Sequence, residues 1–261
     1  MLVLLSPAKS LDFTSRPVTR KHTMPRLLDR SEELIEVLRT KSPDELARLM
    51  KISDDLAVLN AARYRDFETP FTPVNARAAI LAFNGDVYRG MAAASRFGER
   101  DFTEAQKTIR ILSGLYGVLR PLDLIQPYRL EMGTALTTGR GRDLYEYWGD
   151  LPSELLRADL MDAPGSDAVI NLASQEYFGV INPRVIGAPI VSPRFEEITP
   201  SGERRMVSFY AKYARGAMAG WLVINRVRSL RKIREFDAEG YHYDPQVSTS
   251  TQPVFVRPQA A

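Results

Sequence analysis

The sequence has no cysteine and only two histidines, His22 and His242. Without cysteine, the chain cannot supply a thiolate nucleophile, an iron–sulfur cluster or a cysteine-ligated zinc site. The two histidines lie 220 positions apart, so they do not form the closely spaced pair that places two imidazoles on one helix face. The sequence therefore predicts neither a metal site nor a bound cofactor.

Long hydrophobic runs are also missing. The longest mostly apolar stretch, 216–224, is about half of what a membrane-spanning helix needs. The first five residues are apolar, but no basic residue precedes them and the run is too short for a signal sequence. We therefore expect a soluble protein of the cytoplasm.

The overall composition is that of a globular protein, with 44% hydrophobic and 26% charged residues. Apolar runs at 2–5 and 168–172 are typical of buried strands, and apolar positions three and four residues apart in 25–67 and 211–227 predict helices. No linker rich in proline, glycine or serine divides the chain. We predict a single domain over 1–261, of mixed α/β class, in which helices surround a mixed sheet.

The net charge is only +3, but the basic residues are unevenly distributed. Nine basic residues and no acidic one lie between Arg204 and Arg234, which leaves 26 basic and 32 acidic residues elsewhere. A basic segment on an acidic body favours a surface that faces a polyanion. A solvated helix face whose bases pair with distant acids explains the same pattern equally well.

Two glycines interrupt the apolar segment 111–119. Gly114 and Gly117 would let the backbone approach a ligand closely, and amides at the start of a following helix bind phosphate. Such an arrangement is typical of a helix-hairpin-helix motif, although the two glycines are separated by one residue more than in the usual hairpin. On the motif alone, a plain corner between two core helices is the favoured interpretation.

Three loops of similar polar composition follow apolar segments, at 6–12, 171–177 and 208–215. Loops at the carboxyl ends of strands often converge on one crevice, and Lys212 and Arg215 are spaced to share a helix face. We therefore predict one polar cleft. Taken singly, these residues also fit structural roles as caps, turn formers or surface charges. The residues that we place in the cleft from these loops are Ser6, Lys9, Asp12, Asn171, Ser174, Lys212 and Arg215.

The segment 126–133 brings an aromatic residue, a base and an acid together. Tyr128 and Arg129 have the chemistry to stack on a nucleobase and to contact phosphate. Arg129 and Glu131, two positions apart on an extended segment, would also point to one face and form a structural ion pair.

Six motifs, in order along nearly the whole chain, resemble the YaaA family of peroxide stress proteins. They are LLSPAKSLD at 4–12, ISDDLAVLNAARY at 52–64, AILAFNGDVY at 79–88, LSGLYGVLRPLDLIQPYRLEMGT at 112–134, VINLASQEYF at 169–178 and SFYAKYARGAM at 208–218. The long central motif is the most specific of them. The tail after Tyr243 resembles the family least.

The resemblance implies a single α/β domain of its own type, with a positively charged cleft and a helix-hairpin-helix. That element would span about 103–126, with its hairpin over 112–125. The resemblance also implies a cytosolic DNA-binding protein that protects against hydroperoxide and is linked to limiting free intracellular iron.

Our first hypothesis is a non-enzymatic protein that binds duplex or branched DNA largely without sequence preference. The expected DNA-binding residues are Lys9, Gly114, Gly117, Tyr128, Arg129, Lys212, Arg215, Arg226, Arg228 and Arg231, in a cleft lined by Ser6, Asp12, Glu131, Asn171 and Ser174. The alternative is a DNA-repair enzyme of glycosylase or lyase type, in which Lys9 beside Asp12 forms a Schiff base. Direct iron sequestration ranks last, because carboxylate ligands fit poorly in a basic cleft.

Overall fold

The first strand of the chain, β1 (Leu2–Leu5), is the middle strand of a five-stranded mixed sheet. All four of its residues are buried, which is typical of a parallel strand covered on both faces and accounts for its uninterrupted apolar sequence. The computed structural model describes residues 1–259. Its remaining strands are β2 (Arg77–Ala78), β3 (Ile109–Ser113), β4 (Gly117–Leu119), β5 (Leu124–Ile125), β6 (Val169–Asn171), β7 (Ile190–Val191), β8 (Arg194–Ile198), β9 (Arg204–Arg205), β10 (His242–Tyr243) and β11 (Val254–Pro258).

Helices pack around this sheet and connect its strands. They are α1 (Leu28–Arg39), α2 (Pro43–Met50), α3 (Asp54–Asp66), α4 (Ala79–Ala82), α5 (Asp86–Met91), α6 (Ala93–Arg96), α7 (Glu99–Thr108), α8 (Leu144–Trp148), α9 (Leu151–Asp162), α10 (Gln175–Phe178), α11 (Pro183–Ile186) and α12 (Ser208–Ile224), with short 3-10 helices at Arg231–Glu235 and Ala238–Gly240. Within residues 1–259, no helix combines the length and apolarity needed to cross a bilayer.

The main sheet has the order β4-β3-β1-β6-β7. Strands β3, β1, β6 and β7 run parallel, while β4 returns antiparallel to β3. The carboxyl ends of β3, β1 and β6 therefore lie side by side at one edge of the sheet. A second sheet, β10-β11-β8-β9, carries the C-terminal strand, and the two-stranded sheet β2-β5 completes the framework.

The long helix α12 packs tightly on α5, and small residues make this possible. A Cβ at Gly216 would overlap the backbone carbonyl of Val87, so only glycine allows the two helices to approach this closely. The contact fixes the first turns of α12 beside the start of α5. It thereby sets where the cationic side chains of α12 lie.

The predicted fold class is confirmed: the domain is mixed α/β, with a mixed sheet among helices. The predicted strands at 2–5 and 168–172 correspond to β1 and β6, and the predicted helix at 211–227 begins three residues earlier, at Ser208.

The helix-hairpin-helix predicted at about 103–126 is wrong. The segment contains the end of α7 followed by β3, a tight turn and β4, which form a β-hairpin. Its alternating β-branched residues pair with β1 in the sheet interior, and this tertiary pairing outweighs the local helical pattern.

A helical hairpin does exist elsewhere, between α2 and α3. Lys51 ends α2 in the left-handed conformation, and Ser53 precedes α3. Asp54 and Asp55 occupy the first turn of α3, where their carboxylates would repel a phosphate group. On charge alone, this hairpin is a weaker phosphate site than the cleft described next.

Candidate functional site

A cleft of about 470 Å³ opens where the parallel strands of the main sheet end. The segment 6–10 follows β1, and Leu172 to Tyr177 follow β6, so two neighbouring strands deliver their loops to the same place. The start of α5, the segment 128–131 and the first turns of α12 form the remaining walls. Its position agrees with the rule that open α/β sheets bind ligands at the carboxyl ends of their strands.

Eight of the predicted site residues lie together in this cleft. Lys9 and Lys212 line the same cavity although they are 203 positions apart in sequence. The eight are Ser6, Lys9, Tyr128, Arg129, Glu131, Ser174, Lys212 and Arg215.

In one wall of the cleft, Glu131 forms ion pairs with two cations. Its Oε1 lies 2.9 Å from Lys9 Nζ and accepts a hydrogen bond of 3.0 Å from Arg129. The Glu131 side chain is only 17% exposed, whereas that of Lys9 is 68% exposed. One carboxylate thus balances two cations. Arg129 forms the predicted ion pair with Glu131, and it also lines the cleft.

The opposite cations, Lys212 and Arg215, have no such partner. Across residues 1–259, neither has a carboxylate oxygen within 4.0 Å. Lys212 is exposed and Arg215 is half-buried, and burial lowers the pKa of the Arg215 guanidinium. A partly desolvated cation without a counter-charge is costly to maintain, and an anionic ligand would relieve that cost.

Tyrosines and serines build the floor of the cleft. The Tyr128 hydroxyl lies 2.6 Å from Ser113 Oγ, and the Tyr88 hydroxyl donates a 3.0 Å hydrogen bond to the Ser6 carbonyl. Burial raises the pKa of Tyr88, Tyr128 and Tyr177, so these hydroxyls stay neutral at physiological pH. Ser6 Oγ accepts a 2.9 Å hydrogen bond from the Ser174 backbone N–H, which joins the loops after β1 and β6.

Several cleft residues were not predicted. Asp86 and Arg89, paired across one turn of α5, line the wall next to α12. Glu176 also lines the cleft, and its Oε1 accepts a hydrogen bond from the Gly133 N–H at 3.0 Å. The sequence carries a signal for the first pair, since the break at Asn84-Gly85 is followed by charged residues three positions apart.

Asp12 and Asn171 were predicted to line the cleft but do not. Asp12 Oδ1 accepts hydrogen bonds of 2.9 Å from the backbone N–H groups of Thr14 and Ser15, and hydrogen bonds from Ser15 hold the pKa of this carboxyl below its usual range. Asn171 accepts from the Ala173 N–H at 3.0 Å. Both side chains stabilise local turns, as short polar residues after strands commonly do.

The two glycines predicted to contact DNA are buried instead. Gly114 lies directly under the backbone of Leu130, and its carbonyl accepts a hydrogen bond of 3.0 Å from Trp148 Nε1. Gly117 has a φ of +65° and packs against Leu27 and Trp148. Their role is to close the β3–β4 turn, and neither backbone can reach a phosphate.

Four of the nine basic residues in the segment 204–234 form ion pairs with acids. Arg226 lies 2.7 Å from Asp101, and Arg228 lies 2.5 Å from Glu104, both acids being on α7. Arg204 and Arg205 are likewise ion-paired. The interpretation that these bases pair with acids is correct for the four residues, but none of them lies on the helix face that it assumed. Arg231 is exposed but does not line the cleft.

Within the described part of the chain, no three histidine, aspartate or glutamate side chains come together in a way that would hold a metal ion. The cleft carboxylates are instead engaged with lysine, arginine or backbone N–H groups. The chemistry offered here is recognition of an anion by nitrogen donors, with neutral hydroxyls beside them.

The fold and cleft define an α/β protein with a crevice, lined in part by cationic side chains, at the carboxyl ends of the parallel strands of its main sheet. The chain matches the family model described as peroxide stress protein YaaA over residues 1–247. It is 52% identical to a UPF0246 protein of Idiomarina loihiensis and 46% identical to a UPF0246 protein of Cellvibrio japonicus, with 98% of each chain covered in both cases. The chain belongs to the YaaA family of peroxide stress proteins, as the six motifs indicated.

Proposed function

We propose that this protein binds DNA during hydroperoxide stress, largely without sequence preference, and thereby protects DNA from oxidative damage. The backbone phosphates would be held along the cationic side of the cleft. Phosphate contacts position a protein on DNA but do not read its sequence, which agrees with a site made of lysine and arginine.

The observation that supports this proposal best is the pair Lys212 and Arg215. They are one helical turn apart, line the cleft and lack a carboxylate partner within residues 1–259. By contrast, Arg226 and Arg228 already have acidic partners, so a polyanion would gain little from them. We therefore assign the DNA-binding surface to the first turns of α12 and the cleft that they border, and not to the whole basic segment.

Fluorescence anisotropy with a labelled duplex of arbitrary sequence tests this proposal. The double variant Lys212→Ala/Arg215→Ala removes the two unpaired cleft cations and should weaken binding by at least tenfold. The matched control, Arg100→Ala/Lys107→Ala, removes the same charge from exposed positions on α7, outside the cleft, and should bind nearly as tightly as the wild type. Equal losses in both variants would show that only net charge matters and would contradict a cleft-centred site.

A repair enzyme of lyase type is the second candidate, and the contact between Lys9 and Glu131 favours it. In such a reaction, the Lys9 amine condenses with the aldehyde of an abasic site, releasing water and forming an imine. A carboxylate at 2.9 Å would be placed to move protons during these steps. The partner is Glu131, because Asp12 is engaged in its own turn.

Borohydride distinguishes the binder from the lyase, because it reduces an imine to a stable amine. If the lyase candidate holds, the protein becomes covalently attached to abasic DNA, and Lys9→Ala abolishes the attachment. If the protein only binds DNA, no covalent species forms while the anisotropy signal persists.

The proposal includes a link to limiting free intracellular iron, by a route other than direct storage. Glu131 is neutralised by Lys9 and Arg129, and Asp86 is paired with Arg89, so the cleft carboxylates are poor ligands for a cation. Metal analysis of untagged protein should therefore find far less than one iron per chain. A stoichiometric iron content would overturn this part of the proposal.

A further inference from the structure

The cleft is too small for the duplex that the proposed function places against it. Its volume of about 470 Å³ falls in the range of roughly 300–1,000 Å³ that is typical of small-ligand pockets. Stacked base pairs cannot enter a cavity of this size, whereas one nucleotide can. If DNA lies across the opening, only a nucleotide that leaves the double helix can reach the buried residues of the cleft.

The charges in the cleft are arranged in two distinct sets. Lys212 and Arg215 have no acidic partner within the described residues, so they are available to a phosphate group. Lys9 and Arg129 are already paired with Glu131. The pocket thus offers positive charge on the α12 side and balanced charge on the other, which suits a ligand with an anionic part and a neutral polar part.

Two carboxylate oxygens in the wall that contains Glu131 accept no hydrogen bond from the described part of the chain. Both contacts to Glu131 are made by Oε1, and the Gly133 N–H likewise uses only Oε1 of Glu176. The Oε2 atoms of Glu131 and Glu176 have no hydrogen-bond donor among residues 1–259. Carboxylate oxygens in such positions accept hydrogen bonds from the N–H groups on the edge of a nucleobase.

An unsatisfied donor lies in the same wall. Arg129 Nε is buried and has no hydrogen-bond acceptor in the described chain. A buried N–H without a partner is costly, so such groups are commonly completed by a ligand or an ordered water. A nucleobase carbonyl would complete this one, while the neutral tyrosines Tyr88, Tyr128 and Tyr177 supply the apolar faces around it.

We propose that the cleft holds a single nucleotide extruded from DNA, with its phosphate at Lys212 and Arg215 and the N–H edge of its base at Glu131. This inference rests on the proposed DNA binding and narrows it to unpaired or weakly paired positions. Extrusion costs least at a mismatch, so the protein would prefer such sites over fully paired duplex.

A duplex that carries 2-aminopurine at a mismatch tests the inference, because 2-aminopurine becomes brighter when it leaves the base stack. Binding of wild-type protein should increase the fluorescence several-fold. Glu131→Gln should abolish most of this increase, because the substitution removes the negative charge and replaces one of the two acceptor oxygens with an NH2 donor. The same variant leaves Lys9 and Arg129 without their counter-charge, so its affinity for duplex should rise while the fluorescence increase is lost.

A second variant blocks the cavity without changing charge. Ala8 lines the cleft and is half-buried, so Ala8→Phe should fill the pocket and abolish the fluorescence increase. The matched control is Ala94→Phe at an exposed position of α6, which should behave as the wild type. Thermal melts of each variant report whether it is folded.

The outcomes separate the two proposals. If wild-type protein binds the duplex but the 2-aminopurine signal does not change, the nucleotide pocket is wrong and DNA binding stands. If Glu131→Gln or Ala8→Phe is folded and keeps the full increase, the pocket is likewise wrong. If the wild type binds no DNA, the proposed function fails and the pocket fails with it.

Discussion

Two arginines, Arg215 and Arg228, show how surroundings assign different roles to the same side chain. Arg228 reaches Glu104 at 2.5 Å, and the Glu104 side chain is only 8% exposed. Arg215 has no acidic partner within residues 1–259 and is partly desolvated. The first arginine balances a buried acid, whereas the second has charge to offer a ligand.

This difference predicts opposite phenotypes. Arg228→Ala leaves the Glu104 carboxylate without its closest counter-charge, which should lower the free energy of unfolding by about 1–3 kcal/mol. DNA affinity should change little. Arg215→Ala should weaken DNA binding, with a smaller effect on stability. Denaturant unfolding and anisotropy on the same samples check both statements, and a large affinity loss in folded Arg228→Ala would contradict this division.

At the scale of elements, the contact between α12 and α5 positions the site. Both helices contribute cleft residues, and their close approach depends on Gly216. Alanine normally stabilises a helix by about 1 kcal/mol relative to glycine. At this position, however, the added methyl would overlap the Val87 carbonyl, so packing opposes helix propensity.

We therefore expect Gly216→Ala to lower the melting temperature by several degrees, because overpacking costs roughly 1–3 kcal/mol. The control is Gly139→Ala, since Gly139 has open space around its Cα and the change should be nearly neutral. Calorimetry of the two variants provides the comparison. A melting temperature for Gly216→Ala at or above the wild-type value would mean that the helices are less tightly packed than the structure indicates.

A second contact between elements predicts a pH dependence. Hydrogen bonds from Arg140, together with its charge, lower the pKa of Glu33 on α1 to about 2, and the Tyr147 hydroxyl of α8 also contacts this carboxylate. A carboxyl whose pKa is lower in the folded state stabilises the protein above its unfolded pKa, and this contribution disappears as the pH falls from about 4.5 towards 2.

Glu33→Gln isolates this contribution from that of the other carboxyls. The melting temperature of the variant should be lower than that of the wild type at pH 7, and the gap should narrow below about pH 4. Because the Glu33 side chain is 43% exposed, the gap should also shrink at high salt. A gap of constant size from pH 7 to pH 2.5 would rule out the ion pair as its source.

At the scale of the whole molecule, the net charge of +3 understates the positive charge that a polyanion would meet at the cleft. Ion pairs neutralise four of the nine bases in the segment 204–234, while five cations line one cleft. The cations that line the cleft are Lys9, Arg89, Arg129, Lys212 and Arg215.

If the protein neutralises about four or five DNA phosphates there, the logarithm of the binding constant should fall with the logarithm of salt concentration at a slope of about −4. Removing Lys212 and Arg215 together should reduce the slope to about −2. Affinity measured over a salt series gives both values. A flat dependence for wild-type protein would contradict binding through phosphates.

The fold class and the convergence of loops could be predicted from the sequence. The run Leu2–Leu5 is apolar without interruption, as is typical of a strand buried on both faces, and polar residues begin where it ends at Ser6. The β3–β4 hairpin could not be predicted in the same way. Its glycines and apolar residues fit a helical corner equally well, and only pairing with β1 selects the strand.

The amino-acid sequence by itself determined the family, the mixed α/β class and the set of loops that build the cleft, because motifs and apolar periodicity are local properties. Only the tertiary structure decided which cationic side chains have an acidic partner and which do not. Lys212 and Arg228 belong to one uninterrupted basic segment, yet only Arg228 faces an acid, contributed by α7. Charge pairing depends on distances of a few ångströms between elements far apart in the chain, and those distances exist only once the helices have packed on the sheet.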